Sequence, residues 1–175
     1  PLLPLALSVT ANTMATSAFL PVVTNCFTPF KSQCSPCFSA RVVMAPASEP
    51  TCGSVRQKQP LGLGHAVLCA RDLVGSEPFV VLLPDDIIDA KVPCVRQLLD
   101  VFQQKKESVL TLRRVPKSEA HRYGIVGGKA MSERLCQVDT VVEKPQPADA
   151  PSELAIVGRY IFRSEIFSML EKVAP

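Results

Sequence analysis

The chain has only two histidines, His65 and His121, among its 175 residues. Neither stands with side chains that would complete a metal site or a nucleophile–base–acid triad. No serine or cysteine sits in a recognisable nucleophile elbow. Apolar runs are also short, and none approaches the ~20 residues that a membrane-spanning helix needs. Excess charge of one sign is small. The formal net charge is +3, which gives no reason to invoke a polymeric nucleic acid as partner. Internal repeats are absent.

What is present fits a globular protein. Hydrophobic residues make up 47% and charged residues 20% of a length that allows one domain with a real core. Seven cysteines is an odd number. Cys26, Cys34, Cys37 and Cys52 lie early, and Cys69, Cys94 and Cys136 lie later. Cys34 and Cys37 have a C-x-x-C spacing, but neither two further zinc ligands nor a thioredoxin-like context accompanies them. They read as incidental.

Residues 1–54 differ in kind from the rest. Their charged residues are Lys31, Arg41 and Glu49, and neither a helical nor an alternating period persists. The run from Leu2 to Val9 has the apolar character of a signal-peptide core, with Ala15 to Ala18 as a cleavage site. No basic region precedes it and no methionine opens it. The segment reads as foreign to residues 55–175 and is expected to pack poorly or be disordered.

From residue 55 the sequence alternates strand and helix. Val55 to Gln57 ends a short strand, and Gly64 to Leu73 is a helix with Ala66, Val67, Ala70 and Leu73 on its apolar face, stopped by Gly75. Phe79 to Leu83 is a buried strand. Val92 to Lys105 is an amphipathic helix with Pro93 in its first turn. Strands occupy Ser108–Val115 and Cys136–Glu143, the latter with Val138, Val141 and Val142 toward apolar surroundings. The last elements are a strand over Leu154–Phe162 and a helix to Lys172 capped by Ser164, with Glu165 in its first turn.

The stretch 55–89 organises the chain. Gln57 carries donor and acceptor together, which suits the edge of a pyrimidine base, and Gly62 lets backbone approach that base. The strand at 79–83 ends at Pro84, Asp85 and Asp86. Ligands of open α/β sheets bind beyond the carboxyl ends of strands, and carboxylates there suit a hard divalent cation.

Five motifs occur in one order: RQKQPLGLGHA at 56–66, LLPDD at 82–86, Tyr123 with Gly124, VEKP at 142–145 and VGRYI at 157–161. Together they resemble bacterial UTP–glucose-1-phosphate uridylyltransferases over about residues 55–175. The resemblance implies an α/β nucleotidyltransferase fold, Rossmann-like with a mixed sheet and incomplete at both ends, in a cytoplasmic enzyme. It implies UTP and glucose 1-phosphate as substrates, Mg²⁺ as cofactor, and UDP-glucose and pyrophosphate as products, with neither nucleic acid nor membrane as partner. It assigns Gln57 and Gly62 to the nucleotide, and Gly124, Glu143, Lys144 and Val157 to the sugar. Asp85 becomes the Mg²⁺ ligand, and Asp85 with Lys144 the catalytic pair. Asp86 reads as a turn residue, and Arg159 as a phosphate contact or surface.

The resemblance also implies a G-x-G-T-R phosphate loop with a lysine after it, for which residues 1–54 offer no equivalent, and a second metal aspartate beyond Pro175. Little turnover is therefore expected of the chain. Two alternatives stand beside this reading: an inactive ligand-binding remnant, and a pyrophosphorylase for another sugar or base. The PLGLGHA wording favours the uridylyltransferase group. The family often self-associates, so a homo-oligomer is a further expectation.

Overall fold

Strand formation follows the β-branched runs, and each run ends at a proline or a polar turn. The computed structural model describes residues 5–7, 22–26, 39–44, 51–59 and 61–173. The chain divides into two compact units, one of Pro1–Met14 with Ile88–Ile161, the other of Ala15–Ile87 with Phe162–Pro175.

The second of these contains strands β2 (Val22–Cys26), β3 (Ser39–Met44), β4 (Thr51–Arg56) and β5 (Phe79–Leu82) in the order β4-β3-β2-β5. The pairs β4–β3 and β3–β2 are antiparallel, and β2–β5 is parallel. The sequence boundary placed at residue 54 falls inside β4. Helices α1 (Leu63–Cys69) and α2 (Arg71–Val74) stand where one helix was expected, because the chain breaks step at Ala70. Gly75 ends α2 with φ +70, a conformation that side chains resist, and so acts as the stop its position suggested. Phe79 is fully buried and stacks on Phe167 with ring centroids 5.0 Å apart. Phe167 lies on α4 (Glu165–Leu170). That helix is shorter than expected, and Ser164 precedes it in helical geometry, making no side-chain cap bond. A cap residue needs extended backbone to turn its hydroxyl onto the first free N–H groups, which Ser164 lacks.

The other unit contains β1 (Leu5–Leu7), helix α3 (Cys94–Lys105), β6 (Val109–Arg114), a 3-10 turn over Lys117–Arg122, β7 (Gly124–Ser132), β8 (Leu135–Glu143) and β9 (Leu154–Phe162), the last residue of which falls in the other unit. Its strands run β9-β6-β1-β8-β7, and β7 also pairs with β9, so the five close on themselves. Leu112, Val126, Cys136 and Val138 form one buried cluster; Val115, Ala120, Ile125, Ala150 and Ala155 form another. Pro93 precedes α3 as its N-cap in extended geometry, where it had been expected inside the first turn. Val142 is half-buried but Val141 is 55% exposed. Successive strand residues point to opposite faces, so the two could not share one apolar environment.

Irregularities cluster where β7, β8 and β9 meet their partners. On β8, Gly128 pairs with Val138 and Gly127 with Thr140, which leaves Asp139 as an extra residue. On β9, Leu110 pairs with Tyr160 and Thr111 with Val157, leaving Gly158 and Arg159 as extras.

Candidate functional site

The unit that holds β5 positions three expected residues. Gln57 follows β4 and is 2% exposed, although it is a polar side chain. Its Nε2 donates to the Gly62 carbonyl at 3.1 Å and lies 2.8 Å from Nδ1 of His65. Gly62 has φ +90 and nothing within 4 Å of where a Cβ would sit. Glycine is needed there for its backbone angle, not for room. The same carbonyl accepts the Ala66 N–H at 3.2 Å, so one oxygen anchors both the start of α1 and the buried amide. Asp85 occupies the exposed turn after β5, beside half-buried Asp86.

The unit that holds β7 and β8 brings together three of the residues expected around a sugar, Gly124, Glu143 and Lys144, and places the fourth, Val157, opposite Thr111 on β9. Gly124 pairs directly with Glu143, and a Cβ at Gly124 would come within 3.2 Å of Glu143 Oε2 and 3.3 Å of Ile156 Cδ1. Replacing the glycine would therefore crowd the carboxylate. Lys144 comes next with φ +47, a left-handed geometry rare for a side-chain-bearing residue. Its N–H donates to the Tyr123 carbonyl at 3.0 Å, which holds the turn. Its Nζ lies 3.8 Å from Glu143 Oε1, and both side chains are exposed, so this ion pair adds little stability. Val157 is buried at the start of the β9 bulge. The Arg159 Nη1 donates to the Gly158 carbonyl at 2.8 Å. Tyr123 is flanked by two guanidinium groups, Arg113 at 4.7 Å and Arg122 at 5.6 Å from its ring centre, and its hydroxyl accepts from Arg113 Nη2.

Sequence reasoning passed over one participant. His65 was read as an ordinary first-turn helix residue, yet it touches the amide of Gln57. The available signal was an imidazole at the head of a short helix, eight residues after a glutamine already suspected of reading a base. Among the described residues no group of three or more His, Cys, Asp or Glu side chains is placed to hold a metal ion. No helix among them is long and apolar enough to cross a membrane. Cys69, Cys94 and Cys136 are unpaired thiols. Cys34 and Cys37 lie outside the described residues.

A mixed sheet with glycine-assisted corners and an acidic turn after a parallel strand defines a class. The model of the nucleotidyl transferase family matches residues 37–175, and the chain belongs to that family. It is 51% identical over 118 residues to the UTP–glucose-1-phosphate uridylyltransferase of Bacillus subtilis, an alignment covering 67% of this chain and 40% of that protein. It is 46% identical over 117 residues to the enzyme of the same name from Staphylococcus epidermidis, covering 67% of this chain and 41% of that one. Among solved structures, a UDP-glucose pyrophosphorylase complexed with UDP-glucose is 41% identical with a TM-score of 0.67, covering 69% of this chain and 47% of that chain. The chain thus spans about two fifths of the length of the curated relatives it matches.

Proposed function

We propose that this chain carries the base-reading and sugar-holding parts of a UTP–glucose-1-phosphate uridylyltransferase. The observation that carries the reading is the corner at Gly124, Glu143 and Lys144. A charged residue sits there in strained backbone geometry, directly after a carboxylate and across from a glycine. Such strain costs on the order of 1–3 kcal/mol and clusters at ligand-holding sites. The names of the relatives at 51% and 46% identity support the same reading.

In this reading Gln57 and Gly62 receive uracil, Glu143 accepts hydrogen bonds from sugar hydroxyls, and backbone at Gly124 and Val157 lies against the hexose. Lys144 holds the sugar phosphate by charge. An oxygen of glucose 1-phosphate attacks the α-phosphorus of UTP as the bond to pyrophosphate breaks. Positioning and charge neutralisation carry the catalysis, and no covalent enzyme intermediate forms. Asp85 fits Mg²⁺ as a single accessible carboxylate, since that ion takes one or two carboxylates and fills its shell with water and phosphate. When bound, the ion would neutralise charge on the reacting phosphates. A cytoplasmic location belongs to the same proposal.

Titration calorimetry of the chain with UDP-glucose, dTDP-glucose and ADP-glucose tests the reading. Preferential binding of UDP-glucose is expected. Equal affinity for all three, or preference for another base, would overturn it.

A further inference from the structure

His65 touches no group that the proposed chemistry requires, yet it contacts the one side chain assigned to reading the base. The hydrogen bonding around Gln57 fixes which of its atoms a ligand can use. The Gly62 carbonyl can only accept, so the end of the Gln57 amide that faces it at 3.1 Å must be the nitrogen. That same nitrogen lies 2.8 Å from Nδ1 of His65. An amide nitrogen has no lone pair to offer, so Nδ1 must accept and must carry no proton. The proton of the neutral ring therefore sits on Nε2. The thiol of Cys69, 3.8 Å from Nδ1, is a weak donor and is compatible with a bare Nδ1. Both Gln57 amide hydrogens are then committed, one to Gly62 and one to His65. Only Oε1 remains for a ligand.

We propose that His65 is a positioning residue for base choice: its bare Nδ1 locks the Gln57 amide so that Oε1 alone faces a bound pyrimidine. An oxygen at that place accepts from the N3–H of uracil. Cytosine carries a lone pair at N3 and is repelled. The discrimination thus comes from forbidding the rotated amide, in which nitrogen would serve cytosine. The inference rests on the uridylyltransferase reading for its ligand, but the lock itself does not require a ligand.

Two measurements separate these layers. Long-range proton–nitrogen correlation spectra of the imidazoles in the ligand-free chain should show His65 with Nδ1 bare and Nε2 protonated. A proton on Nδ1 would overturn the proposal whatever the nucleotide data say. Calorimetry with UDP-glucose and CDP-glucose then compares the wild type, His65→Phe and His65→Asn. Phenylalanine keeps a ring but offers no acceptor, and the uridine-over-cytidine preference should fall about tenfold, a fraction of what buried polar recognition can supply. Asparagine can place Oδ1 where Nδ1 stood and should restore most of the preference. An unchanged preference in the Phe variant, or an equal loss in the Asn variant, refutes the lock. If the wild type shows no preference for uracil, the functional reading fails, while the ring spectrum still decides whether the amide is fixed. Should the Phe variant not fold, the spectrum and the Asn variant decide.

Discussion

Lys144 combines a backbone handicap with a charge, and the two separate on mutation. Lys144→Gly relieves the positive φ and should stabilise the fold by about 1 kcal/mol, the strain relief less the extra entropy that glycine loses. On the proposed reading, both Lys144→Gly and Lys144→Ala should raise the apparent KM for glucose 1-phosphate in a full-length enzyme that carries them, because the lost charge would serve bound substrate and transition state alike. Thermal melts and steady-state kinetics on the pair read both effects; a Gly variant no more stable than the Ala variant would show the geometry to be unstrained. On the proposed reading, Asp85→Asn should act differently and lower kcat by about a hundredfold or more, since it would remove a charge aimed at the reacting phosphates. Turnover unchanged at saturating Mg²⁺ would remove Asp85 from the mechanism. Cys136 makes a pH prediction. Burial, with the Asp139 carboxylate adding, pushes its thiol above the usual 9.0. The folded state then holds the proton more tightly than the unfolded chain. The stabilisation is whole below the unfolded value and is lost as pH rises through the folded one. Melting temperature should fall faster above about pH 9 in the wild type than in Cys136→Ala.

At the scale of elements, the bulge on β8 sets the tolerance of two adjacent glycines. A Cβ at Gly128 would fall 2.0 Å from the Gln137 carbonyl oxygen and 2.8 Å from Val138 Cα, both backbone. At Gly127 the nearest atom is Pro151 Cβ at 3.2 Å. Gly128→Ala should therefore cost roughly 3 kcal/mol, and Gly127→Ala about 1 kcal/mol or less. Denaturant melts of the two variants check this, and equal costs would refute the bulge geometry. Much of this level was legible in the sequence. The strand at Leu154–Phe162 matches the apolar run, and β5 ends one residue short of the expected Leu83. Bulges were not legible, because an extra residue in one strand is defined only by its partner. The place of Ser164 at the head of α4 was legible but its missing cap bond was not, and Pro93 proved to be a cap outside α3, since backbone angles decide both. The corner of Gly124, Glu143 and Lys144 was legible as separate motifs; their direct pairing across β7 and β8 was not. His65 was missed because a hydrogen bond between residues eight apart, on either side of a loop, leaves no periodic trace.

At the scale of the whole molecule, the chain spans about two fifths of its matched relatives, and we propose that by itself it turns over slowly. Groups that stabilise transferring phosphates are each worth ~10²–10³ in rate. Pyrophosphate release from UTP and glucose 1-phosphate should lie far below that of a full-length relative, and a comparable rate would overturn the expectation.

The closed set of five strands has an uneven circumference. Its last closure, β7 to β9, rests on two rungs, Ile125 with Ala155 and Val126 with Leu154, whereas β7 and β8 share a long ladder. A ring opens at its short seams; this one is as short as the two that β1 makes with β6 and β8, and it begins one residue beyond Gly124. Amide hydrogens along these two rungs should therefore exchange with solvent sooner than their burial suggests, through brief local opening. A hexose lying against both Gly124 and Val157 would act as a clasp across that seam. Exchange at Ile125 and Val126 should slow on sugar-nucleotide binding, while the β7–β8 ladder near the Ser132 turn keeps its pace.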